Sequence, residues 1–152
     1  MSFAYILWSM VSLLAVVSGQ QSAPKLPKAT DLLFGQLGHT SQYPIIASCF
    51  AQIHENMTHC NLKAEQRTMV MEKGNNLDAD NEWTRSVKCC DIWRLRDCYV
   101  SLARDTCDAR QVDLIHELPY TLLKDLDVLC KDYTPESCHR ADMGSCICLK
   151  KN

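Results

Sequence analysis

The sequence predicts an all-α domain: a disulfide-stapled bundle of about four to six short helices with an irregular, cysteine-rich C-terminal tail. Three observations carry this expectation. Apolar residues recur at helical spacing through most of the chain. No segment shows apolar and polar residues alternating between turn signals, the pattern of a half-buried strand. Ten cysteines, an even number, crowd a chain of 152 residues, as in small domains that fold in an oxidising compartment.

The first element is a leader. "MSFAYILWSMVSLLAVVSGQ" carries an apolar run from Phe3 to Val17, then the small residues Ser18 and Gly19, which suit cleavage after Gly19. The run is short for a membrane span, which takes about 20 apolar residues, and it lacks the usual leading Lys or Arg. The expected division is a signal peptide over 1–19, a loosely ordered N-terminal arm over 20–42 and a disulfide-linked helical domain over 43–152. All ten cysteines lie beyond Gly19, so the mature chain is expected to be secreted and extracellular, without a membrane span. Net charge is −2 with both signs interspersed, which gives nucleic acid and anionic membranes little to bind.

In the arm, "DLLFGQL" is expected to dock as one helical turn. From Pro44 the pattern sharpens. Ile45, Ile46, Cys49, Phe50, Ile53, Met57 and Cys60 fall within about 140° of arc at 100° per residue, with Pro44 suited to a first helical turn. A second helix is expected from Leu62 to Lys73, capped by Gly74. The polar stretch "GNNLDADNE" then offers Asp78 or Asp80 as a cap for a helix over about residues 81–104. On that helix Val87, Cys90, Leu95, Cys98 and Leu102 share one side, with Trp83 near its edge. Asp108 and Gln111 read as a capping box for a short helix through Leu118. Pro119 opens a further turn, whose face holds Leu122, Leu126, Leu129 and Cys130.

All ten cysteines, Cys49, Cys60, Cys89, Cys90, Cys98, Cys107, Cys130, Cys138, Cys146 and Cys148, are disulfide candidates, and spacing alone leaves their pairing open. Cys89 and Cys90 project about 100° apart on a helix, so the adjacent pair should reach two different partners. Asn56-Met57-Thr58 is a glycosylation sequon. Asn56 falls at about 20° along the arc, between Ile45 and Cys49 on the apolar stripe, so either the helix loosens before Asn56 or the sequon goes unused.

Other chemistry lacks parts. "KCCDIWRLRDCY" brings secreted phospholipases A2 to mind, but Arg96 stands where their catalytic His would stand. The interval after the Cys-Cys pair is also too long, and no Gly-rich calcium loop precedes it. His54 and His59 are five apart, not the four that put two metal ligands on one helical face. "DADNE" lacks the glycine and the twelfth-position Glu of an EF-hand. Cys146, Cys148 and His139 have zinc-like spacing, but oxidised cysteines offer no thiolate. No catalytic, cofactor-binding or metal residue is assigned.

"CCDIWRLRDCYVSLARDTC" followed by "VLCKDYTPESC" resembles a family of small secreted arthropod proteins of unassigned function. The likeness covers residues 49–138 and implies a secreted, disulfide-linked helical domain without implying an activity. Similarity to insect odorant-binding proteins is looser: those place six cysteines on a helical bundle around an apolar pocket. Here ten residues separate Cys49 from Cys60, and 28 separate Cys60 from Cys89. The expected function is therefore that of a non-enzymatic extracellular protein that binds another protein as a factor or modulator. The alternative is a carrier of a small apolar ligand, lined by Phe50, Met57, Met69 and Met71. A secreted hydrolase is the remote third.

Overall fold

A computed structural model of the chain describes residues 25–74 and 80–138. Over these residues the protein is helical without strands, and four disulfides staple the bundle. The helices are α1 (Ala29–Leu33), a 3-10 turn at Leu37–His39, α2 (Tyr43–Gly74), α3 (Glu82–Arg104), α4 (Ala109–Leu122) and α5 (Leu126–Leu129).

The two helices expected on either side of Leu62 are one, 32 residues long, about 48 Å at the usual rise. Counted at 100° per residue from Ile45, its buried stripe lies between about 40° and 140° and holds Cys49, Cys60, Ile53, Ile46, Met57 and Phe50. The same arc continues through Ala64, Arg67, Thr68 and Met71. The stripe therefore persists while its residues turn small and polar. The reason stands opposite, on α3. Asp91 is buried and accepts from Arg67 Nε at 3.0 Å and Thr68 Oγ1 at 3.4 Å, with Arg94 at 3.5 Å. A buried carboxylate needs charged and hydroxylic partners, so this end of α2 supplies them in place of Leu or Ile.

α3 is the spine, packed against α1, α2 and α4. Its burial extends well beyond the expected face and takes in Cys89, Ile92, Trp93, Tyr99, Val100 and Ala103 as well as Val87 and Leu95. Two charged side chains go in with them. Arg96 is held by Asp97, with Nη2 at 2.7 Å, and its guanidinium lies 5.1 Å from the Trp93 ring. The N-cap is Asn81, whose Oδ1 accepts from Thr84 N at 2.9 Å. Asp80 instead pairs with Arg85 at 3.1 Å, and Asp78 lies outside the described residues.

The capping box of α4 forms as expected between Asp108 and Gln111. Gln111 Nε2 also donates to the Ile45 carbonyl at 2.9 Å and to Ser48 Oγ at 3.0 Å, fixing the start of α4 to the start of α2. α4 does not stop at Leu118; it runs through Pro119 to Leu122. The segment expected to be a loose arm is packed from Leu26 onward: Leu26, Ala29, Leu32, Leu33 and Leu37 all join the core. Lys88 Nζ donates to the Leu26 carbonyl at 3.0 Å, and Lys28 pairs with Glu72.

The disulfides are Cys49–Cys107, Cys60–Cys98, Cys89–Cys130 and Cys90–Cys138. The adjacent pair thus reaches two partners, as its helical geometry requires. Cys146, Cys148 and His139 lie outside the described residues.

Candidate binding cleft

The stripe geometry of α2 decides what its other side offers. Past the Phe50 edge of the stripe come His54, Ala47 and Ala51, then Glu55 and Gln52. Asn56 lies at about 20°, just off the opposite edge. These residues line a half-open cleft of about 650 Å³ together with Phe34, Leu37, Gly38, Tyr43 and Met57. Leu37, Phe50 and Met57 are buried and give it an apolar floor, while Gln52, His54, Glu55 and Asn56 are exposed. Phe34 and Tyr43 remain 49% and 38% exposed, large apolar surfaces left in water.

Local sequence explains the placement. Phe34 is the C-cap of α1, where the chain leaves the helix before the 3-10 turn. Gly35 follows because a Cβ there would lie 2.8 Å from the Asp31 carbonyl oxygen. Tyr43 opens α2 with Pro44 behind it, a position where a missing backbone N–H is harmless. Both aromatic residues belong to the segment or boundary that sequence patterning leaves out of the core. The docking of "DLLFGQL" was the one signal that pointed there.

The four residues expected to line an apolar cavity divide. Phe50 and Met57 line the cleft, whereas Met69 is 57% exposed and Met71 half-buried on the distal half of α2. Asn56 is exposed, so the expected conflict between sequon and core does not arise. His54 and His59 are both exposed on different sides of α2. Among the described residues no three His, Cys, Asp or Glu side chains converge to hold a metal ion. The notable polar group of the interior is Tyr99, whose hydroxyl donates to Asn61 Oδ1 at 2.5 Å. Burial pushes its phenol well above the ordinary tyrosine value, against the pull of the Asn61 hydrogen bond. Burial also raises Tyr120 and Tyr133. These groups tie elements together: Tyr133 donates to the Glu82 carbonyl, and its own carbonyl accepts from Trp93 Nε1 at 2.6 Å.

No helix among the described residues is long and apolar enough to cross a membrane. Comparison of the chain with family models, curated proteins and solved structures gives no match.

Proposed function

We propose that this chain is a secreted, non-enzymatic protein that recognises another extracellular protein through the cleft on the outward side of α2, as a factor or modulator. The observation that carries the reading is the pair Phe34 and Tyr43, both exposed beside a cleft with an apolar floor and a polar side. Aromatic side chains with a wet edge and an apolar body are the residues on which interfaces concentrate binding energy. A half-open, mixed lining suits an amphipathic protein segment better than a fully apolar small molecule, which favours enclosure. Four disulfides and the lack of a spanning helix among the described residues fit export. So does the resemblance to small secreted arthropod proteins.

The second reading, a carrier of a small apolar ligand, rests on the floor formed by Leu37, Phe50 and Met57. One experiment separates the two. Full-length protein and its Phe34→Ala/Tyr43→Ala variant are immobilised and exposed to extracellular fluid. A partner retained in stoichiometric amount by the first and lost by the second supports recognition at the cleft. Equal retention by both would remove the cleft from the proposal, and saturable binding of a lipophilic fluorescent probe without a protein partner would favour the carrier.

A further inference from the structure

We propose that Asn56 carries an N-linked glycan and that this glycan covers the cleft, so that only the unglycosylated fraction of the protein presents its binding face. The inference rests on the reading of the chain as exported and of the cleft as its binding surface. Two observations meet at one residue. Asn56-Met57-Thr58 is an acceptor sequence. Asn56 is also exposed, just outside the buried arc of α2, and itself lines the cleft. A sugar on its amide is therefore anchored at the rim of the cleft, and the continuous helix on either side fixes where the sugar emerges.

The attachment is a group transfer from a lipid-linked oligosaccharide pyrophosphate. The Asn56 side-chain nitrogen forms a bond to the anomeric carbon of the first sugar and gives up one proton. The carbon–oxygen bond to the pyrophosphate breaks, and the lipid pyrophosphate leaves with its electron pair. Transfer must precede folding of this segment. In the folded helix the Thr58 hydroxyl is committed to the His54 carbonyl at 3.1 Å, and Cys60, four residues past Asn56, is tied to Cys98. Helix formation and closure of that disulfide compete with the transfer, so two populations, with and without the glycan, are the expected product.

The test is expression of the full chain in a eukaryotic secretory host, with intact mass measured on protein from the medium. Hydroxyl-radical footprinting then compares the glycosylated form with the Asn56→Gln and Thr58→Ala variants, and with Thr58→Ser, which keeps the acceptor sequence. The expected result is a glycan mass on the wild type and on Thr58→Ser, absent from the other two, with several-fold lower oxidation of Phe34, Tyr43 and His54 in the glycosylated form. Protein in the medium without any glycan overturns this inference and leaves the proposed function standing. A glycan that leaves the oxidation of those three residues unchanged overturns the covering role. Failure of the chain to enter the secretory pathway overturns both readings together, and its absence from the medium marks that case.

Discussion

Gly35 lies between α1 and the 3-10 turn and Gly38 lies within that turn, and the two make opposite predictions. A Cβ at Gly35 would lie 2.8 Å from the Asp31 carbonyl oxygen, while one at Gly38 meets nothing within 4 Å. The obstacle at Gly35 is backbone, which cannot rotate away as a side chain can. Gly35→Ala should therefore destabilise by about 1–3 kcal/mol, the usual range for forced overpacking. Gly38→Ala should stay within about 0.5 kcal/mol of the wild type. Urea denaturation midpoints at unchanged slope check both. Equal stability of the two variants would show that the α1 bend is not held as described.

Tyr99 sets a second expectation at this scale. Its folded pKa is raised by burial, so the native state holds the proton when an unfolded tyrosine, with a pKa of about 10, has lost it. The contribution is complete below about pH 10 and is lost as pH rises from there toward the folded value. Stability should fall with alkali, and Tyr99→Phe should make that fall shallower. It should not abolish it, since Tyr120 and Tyr133 are shifted the same way. The same substitution removes the bond to Asn61 and should lower stability near neutral pH by about 1 kcal/mol. Thermal midpoints between pH 7 and 11 would show the two effects separately.

Among the helical elements, the cap of α3 distinguishes two neighbouring residues that look alike in the sequence. Asn81 accepts from Thr84 N, whereas Asp80 makes an exposed pair with Arg85. Asn81→Ala should lose about 1 kcal/mol, the usual value of an N-cap. Asp80→Ala should change little, as an exposed ion pair does. A reversal of that order in chemical denaturation would move the start of the helix by one residue. The case shows how far the sequence can be read. The capping box at Asp108 and Gln111, the helical stripe from Ile46 to Cys60 and the double staple of Cys89 and Cys90 all follow from local rules. The rest depends on what lies opposite. α2 continues past Leu62 because Asp91 draws Arg67 and Thr68 into the contact. α3 has no single apolar face because it is surrounded. The arm packs because α1, with Leu32 and Leu33 buried in the core, meets α3 and α4 from far along the chain. The cleft inherits this division: Phe50 and Met57 were legible, while Phe34 and Tyr43 depended on tertiary placement.

At the scale of the molecule, the disulfides describe a spine with two straps. α2 runs antiparallel to α3, and its register is marked by Cys49 with Cys107, Cys60 with Cys98, Asn61 with Tyr99 and Arg67 with Asp91. The segment from Leu126 to Cys138 lies along the first half of α3, held by Cys89 and Cys90. Sequence separations of 58, 38, 41 and 48 residues make each bridge worth about 4 kcal/mol in the chain-entropy account. The loops interlock, because Cys89 and Cys90 lie inside the loop closed by Cys60 and Cys98. The connectivity makes a definite prediction for a tryptic digest without reduction. Cys49 and Cys60 share the peptide spanning residues 29–63, so it should appear joined to both "DCYVSLAR" and "DTCDAR". "CCDIWR" should appear joined to both "DLDVLCK" and "DYTPESCHR". Two three-peptide clusters, with Cys146 and Cys148 in neither, are the expected mass map. Fragmentation between Cys89 and Cys90 should then assign Cys130 to the first and Cys138 to the second. A peptide bridging the two clusters would break the arrangement of α2 on one half of the spine and the C-terminal strap on the other. The cleft would lose the α2 placement on which it depends.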